Sequence, residues 1–214
     1  MTDTIQHHLT DKLLLAYSAG VLPEAFGLVV AAHVSMCDEC RARLAAHDAI
    51  GGELLETADD AALDAGSFEA CLQRISSGAP VRKAPGATGV LPGPVQDYVG
   101  GDISAIRWKN IGMGVRQAQL PTSREATVRL LYIPAGAAVP DHGHRGTELT
   151  LVLQGAFRDE GGRYGPGDVE VAGSELEHQP IAEPGEACIC LAATDAPLRF
   201  RGIIPRLAQP FIRI

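Results

Sequence analysis

Two short stretches collect side chains that bind transition metals. His33, Cys37 and Cys40 form an H-x3-C-x2-C group. Thiolate sulfur and imidazole nitrogen in this mixture suit zinc, which takes four such ligands in a tetrahedron. On a helix His33 and Cys37 lie one turn apart. The C-x2-C step then opens the next helix, so three donors converge at a helix–helix junction. The fourth must come from elsewhere, and His7, His8 and His47 are the candidates. The competing readings are two buried thiols beside a packed histidine, or a redox dithiol. The dithiol lacks its usual βαβ context, although oxidation that ejects a metal would reconcile it with a zinc site. The second stretch runs Gly136-x5-His142-x-His144-x3-Glu148-x6-Gly155. Residues an even number apart on strands face the same way, so His142, His144 and Glu148 can project into one interior. Two imidazoles and a carboxylate accept Zn, Fe, Mn, Ni or Cu. Gly136 and Gly155 permit tight turns on either side.

Two kinds of element must position these groups. Residues 1–77 read as helical. Thr10 can cap a helix carrying Leu13, Leu14 and Tyr17, with Gly20 as its stop. Pro23 suits a helix start, and Phe26, Val29, Val30 and His33 then follow the i, i+3, i+4, i+7 stripe. Asp38 can cap a third helix through Leu44, which Gly51-Gly52 interrupts or ends. Ser67 can cap a fourth with Phe68, Cys71, Leu72 and Ile75 on one face, which makes Cys71 core. About four short helices suggest a small bundle. Residues 95–214 read as β: 126–133, 148–153, 169–171 and 187–192 are apolar or β-branched runs between Gly/Pro turns, as in a sandwich or barrel. Trp108, Tyr132 and Phe157 read as barrel core. Cys188 and Cys190, two apart on one strand, read as small apolar filler, with a sensor thiol pair as the alternative. Between the halves, residues 78–94 hold eight Gly or Pro in seventeen positions, a linker composition.

Charge narrows the partners. The 214 residues include 18 Lys plus Arg against 26 Asp plus Glu, for a net charge of −8. That balance argues against direct nucleic-acid binding, which needs a basic surface. It favours basic proteins. Residues 1–85 hold 12 acidic and 6 basic side chains, so most of the acidity lies on the helical half. No apolar run approaches the ~18 residues of a membrane span. The N-terminal MTDTIQHHLTDK lacks the pattern of a signal peptide. A cytoplasmic location is therefore expected, where cysteine clusters more often mean metal or redox chemistry than disulfides.

His8, the stretch LLLAYSAGVLPEA and the H-x3-C-x2-C group resemble the zinc-binding anti-sigma domain over about residues 5–75. That family has a further ligand ahead of the group, which His8, 25 residues before His33, matches. The second stretch fits the first cupin motif at every fixed position. A cupin, a jelly-roll β-barrel, adds a last histidine from a second motif. His178 is the remaining histidine of this half, although the P-x-G-x2-H spacing around it is absent. The chain as a whole resembles anti-sigma factors that join these two domains, so a multidomain α and β protein is expected. The resemblance implies a negative regulator of transcription that holds an extracytoplasmic-function sigma factor, one to one, away from RNA polymerase. It implies structural Zn2+ on His8, His33, Cys37 and Cys40. It implies Zn2+ or another divalent transition metal on His142, His144, Glu148 and His178. It also implies that the cupin mediates release under singlet oxygen or related oxidative stress, without being an enzyme and without contact to nucleic acid or membrane. The alternatives are a cupin metalloenzyme, such as an Fe-dependent dioxygenase, and a ligand-binding cupin module of unknown ligand.

Overall fold

The computed structural model describes residues 4–78 and 89–200. Residues 79–88 of the expected linker and 201–214 of the expected barrel lie outside the described residues.

Three helices pack at the start of the chain. α1 (Asp11–Ser18) begins where Thr10 Oγ1 accepts from the Leu13 N–H at 3.4 Å, and Gly20 follows its end at φ +68°. α2 (Glu24–Met36) follows Pro23 and is apolar nearly all round. Ala25, Phe26, Leu28, Val29, Val30, Ala32 and His33 are all buried. A helix of that kind needs neighbours on every side. It has α1, α3 (Asp38–Glu56) and α5 (Gly93–Val99) on one side and a β-sheet on the other. The cap of α3 is Cys37 rather than Asp38: its Sγ accepts from the Cys40 N–H at 3.4 Å, while Asp38 pairs with Arg41 in the first turn. α3 also runs straight through Gly51-Gly52. A helix interior tolerates glycine at a cost of about 1 kcal/mol each, and these two are exposed and touch nothing. α4 (Ser67–Ser77) is capped by Gly66 at φ +87°, with Ser67 as its first helical residue. It buries no side chain, so Cys71 is exposed and not core. α5 starts inside the stretch whose composition reads as linker, with Pro92 as its cap and Leu91 and Val95 buried. A prolyl ring before a helix is a start signal as well as a loop signal.

Among the described residues the β half has twelve short strands: β1 (Lys109–Gly112), β2 (Val115–Leu120), β3 (Thr127–Ile133), β4 (His142–Gly143), β5 (Glu148–Gln154), β6 (Phe157–Asp159), β7 (Gly162–Tyr164), β8 (Val169–Ala172), β9 (Glu177–His178), β10 (Ile181–Ala182), β11 (Cys188–Thr194) and β12 (Arg199–Phe200). The main sheet has the order β1-β2-β3-β11-β5-β8, and two smaller sheets, β10-β6-β7 and β12-β4-β9, close the other side. All pairings are antiparallel.

The alternation along the central strands explains why they read as unbroken apolar runs. Ile189, Leu191 and Ala193 of β11 share one apolar cluster with α2, as do Leu149, Leu151 and Leu153 of β5 and Val128 and Leu130 of β3. The intervening Cys190, Ala192 and Thr194, with Glu148, Thr150, Arg129 and Leu131, face the barrel interior. The sheet is therefore covered on both faces. Gly155, after β5, sits at φ +65°, and a Cβ there would lie 2.6 Å from the Ala187 carbonyl oxygen. Gly155→Ala is expected to destabilise the fold by at least about 2 kcal/mol, combining left-handed strain with the clash. Urea titration checks this, and unchanged stability would contradict the turn geometry.

Candidate metal centres

The helical centre is assembled from three elements. His8 lies in the extended segment before α1, His33 near the C-terminus of α2, Cys37 at the α2–α3 junction and Cys40 in the first turn of α3. Their donor atoms all lie within 4.8 Å of one another. His8 Nδ1 is 3.4 Å from Cys37 Sγ and 3.7 Å from Cys40 Sγ. Zinc bond lengths give tetrahedral donor–donor edges of about 3.3–3.8 Å, so the spacing fits. The buried imidazole of His33 donates from Nδ1 to the Gly167 carbonyl at 2.9 Å, which leaves its Nε2 as a buried atom without a partner. An orphaned lone pair aimed at two thiols is what a metal would satisfy. His8 Nε2 faces Glu39 at 3.4 Å. Burial lowers the His33 pKa to about 4, which keeps the ring neutral, as a ligand must be. Burial pushes the Cys40 thiol up to about 11, so a cation is needed to hold it as thiolate. The other two candidates for the fourth position lie elsewhere. His7 bonds the Arg163 carbonyl at 3.1 Å and stacks on Tyr164, and His47 faces Asp11 at 3.8 Å.

In the barrel, His142 and His178 are register partners across β4 and β9, and His144 follows β4. All three rings are buried. The Nε2 atom of His178 is 3.3 Å from Nε2 of His144 and 3.3 Å from Nε2 of His142. The Nδ1 atoms of His142 and His178 are hydrogen-bonded, whereas His144 Nδ1 is buried without a hydrogen-bond partner. His142 donates to the Pro140 carbonyl at 2.9 Å, and His178 donates to Asp159 at 2.7 Å and to Glu170 at 3.1 Å. The Nε2 atoms of all three rings thus point inward at the spacing of metal ligands. Glu148 stands at the edge of the triad. One oxygen is 3.6 Å from His144 Nδ1, and the other accepts from Thr150 at 3.0 Å.

Asp159 and Glu170 are buried groups that sequence reasoning passed over. Asp159 reads as the first residue of a DEGG turn. The signal for Glu170 was a carboxylate between two valines of an apolar strand. Together they grip the back of His178. Burial disfavours the His178 cation, yet the two carboxylates outweigh it and raise its pKa to about 9. Burial raises Glu170 to about 7. Because His178 Nδ1 is taken by this pair and its Nε2 by the triad, the carboxylates orient a ligand. His142→Ala or Glu148→Ala is expected to strip metal from the barrel. Asp159→Asn or Glu170→Gln should weaken its binding by about 10- to 100-fold. Metal analysis of each variant reads this out, and unchanged barrel metal would reject the assignments.

His142 and His178 of the triad line a 260 Å³ cavity whose walls include Ile111, Val115, Leu131, Phe157 and Phe200, together with the polar Arg129 and Glu148. Phe157 is therefore cavity wall as well as core, stacked on Tyr164 at 4.9 Å. Trp108 and Tyr132 meet edge to face at 6.0 Å and pack, half-buried, against the helix-side cluster. Cys188 and Cys190 are buried with sulfurs 3.4 Å apart, and Cys190 lines the cavity. Their contact and burial push the Cys190 thiol well above its usual range.

Comparison with known proteins identifies the family. Residues 96–197 match the family model of the ChrR cupin-like domain. The chain is 58% identical to the anti-sigma-E factor ChrR of Cereibacter sphaeroides, over 99% of this chain and 100% of that protein. It is similar to a chain in the crystal structure of Rhodobacter sphaeroides SigE in complex with the anti-sigma ChrR. There the TM-score is 0.79 and the identity 57%, covering 90% of this chain and 100% of that one. An acetylacetone dioxygenase from Acinetobacter johnsonii is 17% identical with a TM-score of 0.40, covering 45% of this chain and 73% of that one, a likeness that carries no argument about activity. By identity along nearly its whole length, the chain belongs to the ChrR family of anti-sigma factors.

Proposed function

We propose that this protein is a cytoplasmic anti-sigma factor that holds an extracytoplasmic-function sigma factor in a 1:1 complex, and that its barrel mediates release under singlet oxygen. The observation that carries the reading is the 58% identity to an anti-sigma-E factor along 99% of the chain. In this reading residues 1–77 are the sigma-binding domain, 78–94 the connection and 95–214 the responding domain. Zinc on His8, His33, Cys37 and Cys40 fixes the angle between α2 and α3. Zinc or another divalent transition metal on His142, His144, Glu148 and His178 orders the barrel interior.

The helical surface supports a protein partner. Ile50, Leu54, Leu55, Leu63, Phe68, Leu72 and Ile75 are all exposed along the end of α3, on α4 and, for Leu63, between them. Large apolar side chains gathered in this way mark an interaction surface. The 12 acidic and 6 basic residues of positions 1–85 suit a partner that carries basic DNA-binding surfaces. Association should therefore slow as salt rises, and a rate indifferent to salt would contradict that electrostatic contribution. No helix among the described residues is long and apolar enough to cross a membrane.

The second reading, a metalloenzyme or ligand-binding cupin, is favoured by one observation, the cavity lined by His142 and His178. Incubation with Fe(II) and diketones, thiols or flavonols separates the two. Anti-sigma action without turnover supports the first reading, and metal-dependent turnover supports the second.

A further inference from the structure

The helical metal centre borrows part of its support from the barrel. The loop between β7 and β8 reaches it at three points. The Gly167 carbonyl accepts from Nδ1 of ligand His33 at 2.9 Å. The buried carboxylate of Asp168 accepts from the backbone N–H groups of Gln6 and His7, at 2.6 and 2.8 Å, through one oxygen. Its other oxygen accepts from the Gly165 N–H at 2.8 Å. The Val169 N–H in turn donates to the His7 carbonyl at 3.2 Å. The backbone that carries ligand His8 is thus bonded to the barrel immediately before that residue. The approach is close enough that a Cβ on Gly167, at φ +89°, would lie 2.5 Å from Ile5 Cδ1. Glu170, after Val169, bonds the barrel ligand His178. The stretch 167–170 therefore begins on a ligand of one centre and ends on a ligand of the other, with Asp168 and Val169 holding the segment before His8.

We propose that the Gly167–Asp168 turn is a positioning element of the helical metal centre, with Asp168 as its anchor, so that metal retention by His8, His33, Cys37 and Cys40 depends on the barrel. Two of the four ligands, His8 and His33, are steered from outside the helices. Without the turn, the His33 ring loses the bond that selects Nε2 as its free nitrogen. The segment bearing His8 also loses two of its anchors. Groups that orient metal ligands are worth about 10- to 100-fold in affinity.

The test uses the full-length protein loaded with Co2+. Cysteine thiolates bound to cobalt give charge-transfer absorption, which a His/Glu site does not, so this signal reports on the helical centre alone. Asp168→Ala is expected to lose that absorption to a competing chelator about 10- to 100-fold faster than the parent. Asp168→Asn keeps an acceptor for Gln6 and His7 and should be intermediate. Circular dichroism checks that the variants are folded. Folded Asp168→Ala that releases cobalt at the parental rate would overturn the proposal. Should the alanine variant not fold, hydrogen exchange over residues 163–171 in the parent and in Cys37→Ser decides. Slower exchange with metal in the helical centre supports the proposal, and identical exchange overturns it. Absence of the thiolate signal in the parent would instead refute the ligand set itself, a different outcome.

Discussion

Replacing Cys37 or Cys40 with alanine is expected to remove one metal per chain and to abolish sigma-factor inhibition. Both sulfurs are buried, and His8 Nδ1 sits between them at 3.4 and 3.7 Å. With one gone, three donors remain, and a structural zinc site needs four. The loss is not confined to the ion. Cys37 also caps α3 through the Cys40 N–H, so Cys37→Ala loosens the junction that sets the direction of α3. Structural zinc in small domains contributes about 10–16 kcal/mol of apparent binding free energy, which is coupled to folding. No local repacking replaces a term of that size. Metal analysis and transcription assays read the two effects together, and full inhibition by a metal-free variant would contradict the structural role of zinc.

The second large effect concerns α4. Phe68, Leu72 and Ile75 are 67%, 46% and 71% exposed, on a helix that buries nothing in the free chain. Leu72→Asp combined with Ile75→Asp should leave thermal stability nearly unchanged, because neither side chain is part of a core. If the sigma factor covers this face, each residue contributes about 1.5–3 kcal/mol of burial. Losing both then weakens binding by roughly 100-fold or more. Calorimetric titration with the sigma factor measures this, and parental affinity in the double variant would remove α4 from the interface.

Local chemistry was legible in the sequence where spacing alone determines geometry. Thr10 and Pro23 mark helix starts through their own backbone and hydroxyl preferences, and α1 and α2 begin there. The even steps from His142 to His144 and Glu148 read as strand alternation; His142 and His144 do stand beside His178, but only His142 lies in β4, His144 follows it and Glu148 opens β5. What depended on tertiary neighbours was less legible. The apolar face of α4 has the pattern of a core helix, and nothing in its sequence says that the described residues leave that face uncovered. Cys37 took the cap position from Asp38 because its backbone is extended, at φ −109°, and its Sγ reaches the Cys40 N–H. Asp159 and Glu170 carry no pattern that pairs them, since β6 and β8 bring them together only when the barrel closes around His178. The bond from His33 to Gly167 spans 134 residues and has no signature in either segment.

The most direct measurement is to mix the full-length protein with its cognate extracytoplasmic-function sigma factor at equal concentration, then follow both the complex and transcription from a promoter that the factor serves. Sequestration predicts a 1:1 complex and loss of transcription, both restored toward the free state when singlet oxygen is generated in the sample. A sigma factor that stays unbound and drives transcription at its full rate would contradict it.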